Sequence, residues 1–330
     1  MFKLLVKNYI VITLILVTAP ALSNVDIASP FNDFSFGSWN GQGNITLSQS
    51  ACIRSYTGNN FFNLRARNYA LRAQMNTPAS SSASPYVFYN IANSNYYFPF
   101  SLEVTDLLSS GAQNLTPDIF SNALTYQIFL CFFGAANAEL TVSALANDLY
   151  AVPAGNYRVS MDVEARRMNN GGGVTGDRDR QNNLLGTITI PSLIHLSNID
   201  DIDFGLYDGV SATVTKNESF CVYSNTSSYT ITPSTTIFAS SGSSFGLSSV
   251  SGDVLEYSVR VNNSADASSG VILLNGQSSP PITTNLSYPY SVNCVGGDNA
   301  AVFIEMQGAN IQAVTPGDYS GTLVLQVAPI

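Results

Sequence analysis

The chain has 330 residues, of which only 11% are charged, and its formal net charge is −9. This acidic balance argues against nucleic acid as a partner, because binding to the phosphate backbone depends on Lys and Arg. A single histidine and the lack of any Cys-x-x-Cys pair argue against a zinc site and against most Ser–His and Cys–His catalytic arrangements. We therefore expect a protein without enzymatic activity, cofactor or metal.

The first residues have the pattern of a secretory signal peptide. Lys3 and Lys7 precede the apolar stretch 9–17, and small residues suited to cleavage follow up to Ser23. Residues 1–23 are therefore predicted to be removed on export, with a retained N-terminal anchor as the alternative. An exported chain enters an oxidising compartment, in which its four cysteines are expected to form disulfides.

The remaining chain contains the same pattern twice. Each half has a Phe-Gly pair, a cysteine 15 or 16 residues after that glycine, a second cysteine, and a closing turn that leads into a tyrosine. These landmarks are Phe36-Gly37, Cys52, Cys131 and Pro153–Tyr157 in the first half, and Phe204-Gly205, Cys221, Cys294 and Pro316–Tyr319 in the second. The offset of 162 to 169 residues indicates duplicated domains, predicted at 24–190 and 191–330. Of the three possible pairings, the duplication favours Cys52–Cys131 and Cys221–Cys294.

The elements in chain order are almost all strands, with period-two alternation broken by Gly, Pro, Asn and Ser. Two segments, 102–108 and 117–124, are predicted to form short helical turns, and 166–183 is predicted to be a polar loop. The predicted strands are 44–47, 139–144, 157–163, 184–190, 255–261, 302–306 and 319–327. The fold class expected is all-β, with two tandem sandwiches.

The two halves differ at their ends. Strand 184–190 is expected to return as a hairpin and complete the first sandwich, whereas no equivalent strand follows Val327 in the second. The second sandwich should therefore lack its last strand. Its open groove edge is predicted to carry Tyr319, Leu323, Leu325 and Val327.

On these residues the chain resembles a two-domain tip adhesin or minor subunit of chaperone–usher pili. It is similar in pattern to the archaic Csu-like and alpha CFA/I-like branches, whose pilin domains resemble spore coat protein U. The resemblance is carried by the signal peptide, the paired cysteines, Phe204-Gly205, the stretches 221–225 and 229–231, and the ending 316–321.

The resemblance implies that the two tandem sandwiches are immunoglobulin-like. It implies that the second is an incomplete pilin sandwich that borrows a strand, first from a periplasmic chaperone and then from an adjacent pilin subunit. It also implies an outer-membrane usher as a partner, and a location at the fimbrium tip on the cell surface. Residues 22–31 are interpreted as the first strand of the N-terminal sandwich, with a short donor strand as the alternative. A chain with an open groove and no donor would lie at the end of a fibre.

Two groups in the first half are candidates for receptor binding. The aromatic group comprises Tyr86, Tyr89, Tyr96 and Tyr97, since tyrosine suits sugars and hydrophobic surfaces; the alternative is that these rings are core. The arginine group consists of Arg65, Arg67, Arg166 and Arg167, with Arg54 and Arg72 nearby in sequence; the alternative is a set of charges that protect strand edges. Residues 22–190 contain nine arginines and eleven acidic residues, whereas residues 191–330 contain two basic and eleven acidic residues.

Three other polar features are interpreted as structural. His195 is expected at the domain junction, Asp200–Asp203 as surface charge that opens a strand, and 177–180 as a self-neutralising loop. The leading hypothesis is a tip adhesin that binds a glycan, a protein or a hydrophobic surface. The alternatives are a non-adhesive pilus initiator and a secreted carbohydrate-active enzyme.

Overall fold

The computed structural model describes residues 25–58, 64–77, 85–127, 131, 134–239, 244–263, 270–283, 292, 294 and 297–330. The expected signal peptide lies outside these ranges. The described chain consists of strands with two short helices, so the prediction of an all-β fold is confirmed. No helix within the described ranges is long and apolar enough to cross a membrane.

The strands up to Ile190 belong to a single continuous sheet. They are β1 (Val25–Ser29), β2 (Phe34–Ser38), β3 (Ile45–Thr57), β4 (Arg65–Ala66), β5 (Tyr69–Thr77), β6 (Tyr86–Asn90), β7 (Tyr97–Asp106), β8 (Gly111–Asn114), β9 (Ala138–Ala144), β10 (Gly155–Met168) and β11 (Val174–Ile190), with helix α1 (Ala146–Tyr150) after β9. The order is β1-β3-β9-β7-β6-β10-β11-β2, and β4, β5 and β8 attach to β3, β10 and β7.

This sheet, which we call the first unit, closes on itself. The two end regions approach each other, since the Ile27 N–H donates to Asp179 Oδ2 at 2.8 Å and the Phe31 N–H donates to Gln181 Oε1 at 2.9 Å. Strand β1 pairs antiparallel with β3 of the same unit. The N-terminal segment is therefore the first strand of the first unit.

The strands from Ile194 onward form two further sheets, which we call the second unit. They are β12 (Ile194–Ser197), β13 (Thr213–Ser224), β14 (Ser228–Ser234), β15 (Phe245–Ser249), β16 (Val254–Asn262), β17 (Val271–Leu273), β18 (Ile282–Thr283), β19 (Ala300–Gln307), β20 (Tyr319–Ser320) and β21 (Val324–Pro329), with helix α2 (Gly308–Gln312) after β19. One sheet has the order β12-β13-β19-β16-β15-β20, with β17 on β16, and the other has the order β18-β14-β21.

Alternating side chains supply a core to each unit. In β10, Tyr157, Val159 and Met161 are fully buried, and in β16, Tyr257, Val259 and Val261 are buried in the second core. Burying one such side chain contributes roughly 1.5–3 kcal/mol relative to leaving it exposed. The period-two pattern therefore determines which face of each strand points inward.

Both disulfides are present with the pairing favoured by the duplication. Cys52 is bonded to Cys131 and Cys221 to Cys294, with Cα–Cα distances of 5.6 Å and 5.9 Å. They link residues 79 and 73 positions apart, and loops of this length correspond to roughly 4 kcal/mol of stabilisation in the chain-entropy model.

Four local predictions are wrong. The segment 102–108 lies mostly in β7, since Leu102 and Val104 alternate with polar residues and pair with β9, and 117–124 contains turns without a helix. The loop predicted at 166–183 is mostly strand, because β10 and β11 continue as a polar hairpin and only 169–173 turn. The strand predicted at 319–327 is divided into β20 and β21, which pair with β15 and β14 respectively.

The polar features also depart from expectation in part. No strand begins at Asp200–Asp203, which lies in a segment without strand structure. The 177–180 stretch is part of β11, where its charges pair with neighbouring strands. His195 is exposed in β12.

The two units meet around Asn225, which is 1% exposed. Its backbone oxygen accepts from the Ala154 N–H of the first unit at 3.0 Å. Its side chain accepts from the Leu193 N–H at 2.7 Å and donates to the Pro191 oxygen at 2.9 Å. One residue of the second unit therefore bonds both the connecting segment and the first unit.

Candidate strand-acceptor groove and binding face

The duplication allows the two units to be compared position by position. Gly37 and Gly205 both have φ +68°. The Tyr157 hydroxyl donates to the Pro153 oxygen, and the Tyr319 hydroxyl to the Thr315 oxygen, both at 2.7 Å. The two units therefore share local geometry. Matched strands can then be compared directly for their pairing partners and for the burial of their side chains.

An asparagine that bonds the residue after the first cysteine also occurs in both units, and the sequence had not indicated it. Asn137 Oδ1 accepts from the Ile53 N–H and its Nδ2 donates to the Ile53 oxygen, at 2.8 and 2.9 Å. Asn299 makes the same two bonds with Val222 at the same distances. In each unit the clamped residue follows the first cysteine, and that spacing was the available signal.

In the first unit the closing strand β10 is covered on both edges. β11 pairs along one edge from Gly155 to Met168, and β6 and then β5 pair along the other. The inward side chains Met161, Val163 and Ala165 are all 0% exposed. β11 contributes Leu184, Ile188 and Ile190 to the same core, and these are also buried.

In the second unit the matching strand β21 has one open edge. It pairs with β14 and stands at the end of its sheet, and no other strand of the described chain pairs with it. Leu323, Leu325 and Val327, which match Met161, Val163 and Ala165, are only partly buried. The predicted groove-edge residues, Tyr319 included, thus border a core that is incompletely covered.

The opposite side of the groove is formed by β12 and the segment after it. Ile194 and Leu196 of β12 and Phe204 of the Phe-Gly pair are partly buried against the second core. Strand β12 pairs only with β13 within the described ranges, and it lies next to β21. Two strand edges without a partner in the described ranges therefore lie near each other, beside partly buried apolar side chains.

The segment that contains Phe204 shows what the missing strand would do. In the first unit, β2 contains Phe36-Gly37 and pairs parallel with β11. In the second unit, residues 198–212 have no strand structure although the same Phe-Gly pair is present with the same glycine conformation. A strand in the position of β11 would provide the partner that β2 has in the first unit.

Two of the four aromatic candidates are buried. Tyr86 and Tyr89 are 2% and 7% exposed, and the Tyr86 hydroxyl donates to the Ala73 oxygen at 3.3 Å. Burial, with a smaller contribution from the Asp118 carboxylate, raises the pKa of Tyr86. Tyr96 is half-buried, and Tyr97 is 50% exposed.

The arginine candidates lie at the far end of the first unit. The turn after β6 bonds Asn156, next to the junction, whereas Arg166 and Arg167 lie about 33 Å further along β10 at ~3.3 Å per residue. Arg67 reaches the 169–173 turn through Asn170. The structure therefore does not bring the aromatic and arginine groups together.

Buried carboxylates hold several of these guanidinium groups in place. Glu164, 3% exposed, accepts from Arg72 and Arg166, both of which lie over the Phe120 ring at 4.9 and 5.1 Å from its centroid. Burial alone would raise the pKa of Glu164, but hydrogen bonds from Arg166 and Arg72 together with their charge lower it below its usual value. The carboxylate is covered while the arginine side chains remain about a quarter exposed.

The same arrangement recurs on neighbouring residues. Asp162 accepts from Arg180, and hydrogen bonds from Asn76 and from the Asn183 backbone help to lower its pKa against the effect of burial. Arg167 pairs with Asp177, and Arg54 with Asp26. Arg178 and Arg180, which the sequence analysis assigned to a loop, lie beside this group on β11.

This end of the first unit, which we call the arginine face, presents positive charge over buried negative charge. Arg65 and Arg178 are exposed and form no ion pair with any described residue. The guanidinium groups of this face can bind carboxylates, sulfates or phosphates through pairs of N–H donors. Among the residues that the structure describes, no group of three or more His, Cys, Asp or Glu could hold a metal ion.

Comparison with known proteins found similar solved structures, but no sequence match. No family model and no curated protein matches the sequence. The structure is similar to those of tip adhesins of chaperone–usher pili over about 90% of the chain.

Three solved structures illustrate this similarity. The complex of the Csu chaperone and tip subunit from Acinetobacter baumannii contains a chain with 15% identity and a TM-score of 0.45, covering 92% of this chain and 99% of that one. CfaE, the adhesive subunit of CFA/I fimbriae of enterotoxigenic Escherichia coli, has 13% identity and a TM-score of 0.37, and the match covers 90% of this chain and 92% of that one. The CupB6 tip adhesin of Pseudomonas aeruginosa has 12% identity and a TM-score of 0.34, and the match covers 91% of this chain and 94% of that one.

Proposed function

We propose that this chain is the tip subunit of a surface fibre of the chaperone–usher type. The second unit accepts a strand from another polypeptide, and the first unit binds a surface. The observation that carries the proposal is the contrast between β10, paired on both edges over a sealed core, and β21, open on one edge over partly buried Leu323, Leu325 and Val327.

An open strand edge beside an apolar groove is the geometry used for β-strand addition, in which backbone bonds give affinity and alternate side chains fill the groove. An uncovered edge of this kind also promotes aggregation, so it needs a protecting partner during export. We infer that a periplasmic chaperone protects the groove, that an adjacent pilin subunit then occupies it, and that an usher assembles the fibre. Residues 1–23 would be the export signal, with the units at 24–190 and 191–330.

The groove can be tested with a peptide taken from the chain itself. Residues 178–190 of β11 occupy the equivalent position in the first unit, since they pair with β10 from Gly155 to Arg166, so a synthetic peptide of this sequence is a suitable probe. Added to the mature full-length protein, it should protect the backbone amides of β21 from hydrogen exchange and raise the melting temperature of the second unit.

Two controls make this experiment specific. A peptide with the same residues in scrambled order should give neither effect, because alternation decides which side chains enter the groove. The variant Leu325→Lys should abolish the effects of the native peptide. The groove assignment would be rejected if β21 were fully protected from exchange before any peptide was added.

The adhesive part of the proposal is assigned to the arginine face. This part is supported by its position at the end of the first unit away from the junction, and by a positive surface on a chain of net charge −9. The receptor class that fits is an anionic glycan or another anionic surface group.

The arginine face can be tested by removing its unpaired cations. The double variant Arg65→Gln, Arg178→Gln should elute from a sulfated-polysaccharide column at lower salt than the wild type, because screened charge attraction would drive retention. Arg260→Gln, which removes one charge from the second unit, should elute unchanged. Equal retention of all three proteins would contradict adhesion through this face and leave a non-adhesive initiator role.

A further inference from the structure

The turn that joins β10 to β11 contains an asparagine followed by glycine. Asn170 is exposed, and Gly171 has no side chain to keep its backbone nitrogen away from the Asn170 side chain. Asn–Gly pairs can cyclise through attack of the glycine nitrogen on the asparagine Cγ. The neighbours of both reacting groups decide how fast this happens.

The carbonyl of the Asn170 side chain is bonded to a cation. Arg67 Nη1 donates to Asn170 Oδ1, and its Nε donates to Thr57 Oγ1 at 3.2 Å, which fixes the guanidinium group. When a nucleophile attacks Cγ, negative charge develops on Oδ1. A positively charged donor already aimed at that oxygen stabilises the charge, as an oxyanion hole does.

The attacking nitrogen is also bonded within the turn. The Gly171 N–H donates to Asn169 Oδ1 at 3.0 Å, and the Gly173 N–H donates to the same oxygen at 2.9 Å. Gly172 has φ +82°, which keeps the turn tight. Asn169 Oδ1 polarises the Gly171 N–H bond, whose proton must leave. The fold therefore places a partner on the attacking nitrogen as well as on the carbonyl oxygen that is attacked.

We propose that Asn170 is a self-modification site at which the folded protein deamidates. The Gly171 nitrogen forms a bond to Asn170 Cγ, its proton passes to the side-chain nitrogen, and ammonia leaves to give a cyclic imide. Water then opens the imide at either carbonyl, giving an aspartate or an isoaspartate at position 170. In the balance, water is consumed, ammonia is released and one negative charge is gained.

The two other Asn–Gly pairs in the sequence lack this arrangement. Asn275 Oδ1 accepts from the Thr235 N–H, which is a neutral donor, and the Gly276 N–H donates to the Pro233 oxygen at 2.8 Å. Asn40 Oδ1 accepts from the Gln42 N–H at 2.9 Å. Neither carbonyl is bonded to a cation in the described contacts, so both pairs serve as internal references.

The new charge would lie inside the arginine face. A carboxylate at position 170 would pair with Arg67 and reduce the positive potential shared with Arg166 and Arg178, so ageing would weaken attachment to anionic surfaces. This consequence rests on the proposed adhesive function, whereas the modification itself does not.

The modification can be followed by mass spectrometry of peptides from the mature full-length protein aged at mildly alkaline pH. Asn170 should deamidate faster than Asn40 and Asn275. Arg67→Gln should slow the reaction at Asn170 by roughly three- to tenfold, less than the ~10²–10³ lost with a buried oxyanion donor, because this donor is in water. Arg65→Gln removes the same charge nearby and should leave the rate unchanged.

A second measurement does not depend on any variant folding. In urea, with the disulfides intact, the three Asn–Gly pairs should react at similar rates, and Asn170 should react more slowly than in the native protein. The proposal would be overturned by equal rates at the three sites in the native protein, or by a faster reaction of Asn170 after unfolding.

The binding consequence has its own experiment. Asn170→Asp should elute from the sulfated-polysaccharide column at lower salt, and Asn170→Gln should elute like the wild type. If deamidation occurs as described but Asn170→Asp is retained normally, the adhesive role of the arginine face is wrong and the modification site stands.

Discussion

At the residue scale, the Asn137 side chain holds the backbone beside the disulfide of the first unit. It is fully buried and bonds both backbone groups of Ile53, which follows the disulfide-bonded Cys52. Buried backbone groups that lose their partners are costly, because water does not replace the lost bonds. The repetition of this clamp at Asn299 indicates that it belongs to the basic plan of the unit.

We predict that Asn137→Ala lowers the free energy of unfolding by about 2 to 3 kcal/mol, because two buried backbone groups of Ile53 are left unpaired. Asn299→Ala should cost less, since Asn299 is only half-buried. Urea unfolding followed by fluorescence measures both. The exposed Asn182→Ala, in β11, should change the stability by less than about 0.5 kcal/mol.

Glu164 and Asp162 make the first unit sensitive to acid. Their pKa values are lowered in the folded state from the usual 4.5 and 3.8, so they stabilise the fold above these values. This contribution is lost as the pH falls through the lower folded pKa values, because the unfolded chain then binds more protons. We predict that the urea midpoint of the first unit falls steadily between about pH 5 and pH 2.

A pair of variants separates this effect from general acid unfolding. Glu164→Gln should flatten the pH dependence in the same interval, since the group that titrates is gone. Glu103→Gln, in β7, replaces a half-buried carboxylate that forms no ion pair with any described residue and should leave the slope unchanged. Parallel slopes for all three proteins would count against the prediction.

At the scale of elements, β11 is the feature that distinguishes the two units. It fits closely against β10, since a Cβ placed on Gly186 would lie 2.7 Å from Val159 Cγ1 and 3.0 Å from the Phe88 ring. The matching position to Val159 in the second unit is Gly321. A strand added in the proposed groove of the second unit would therefore meet a glycine where β11 meets a valine.

We predict that Gly186→Ala destabilises the first unit by about 1 to 3 kcal/mol, as overpacking of a filled core does. Thermal unfolding provides the measurement. Gly176→Ala is the matched control on the same strand, because a Cβ there meets no atom within 4 Å. A cost at position 176 equal to that at 186 would mean that contact with Val159 and Phe88 is not the cause.

At the scale of the whole molecule, the junction and the charge distribution fit a tip subunit. Tyr223 donates from its hydroxyl to the Tyr150 oxygen at 2.7 Å, and the two rings pack edge to face at 5.9 Å. With Asn225, these contacts join the second unit to the end of the first unit opposite the arginine face. A load applied through the groove would reach the first unit through this junction.

We predict that Asn225→Ala loosens the junction while each unit remains folded, because the side-chain bonds to Pro191 and Leu193 are lost. Small-angle scattering should show a wider distribution of interdomain distances, and the stability should fall by about 2 kcal/mol. Asn198→Ala, at an exposed residue directly after β12, should leave the scattering profile unchanged. An unaltered scattering profile for Asn225→Ala would show that other contacts fix the units.

Local pattern was sufficient for much of the fold. Alternation in 157–163 and 255–261 identified core strands, and the repeated cysteines identified both disulfides, because duplicated units keep their landmarks at a constant offset. Alternation also existed at 102–106, where a short helical turn was predicted, and pairing with β9 makes this segment a strand. The polar run 166–183 gave no apolar signal, since its strands face solvent and are held by ion pairs.

The sequence by itself determined the all-β plan, the duplication and the disulfides, because each depends on residue type and order. Only the tertiary structure decided that Tyr86 and Tyr89 are core, that Arg178 joins the arginine face, and that Arg67 reaches Asn170. These depend on which strands become neighbours, and register between distant segments is set by the packing of the whole sheet rather than by any local stretch.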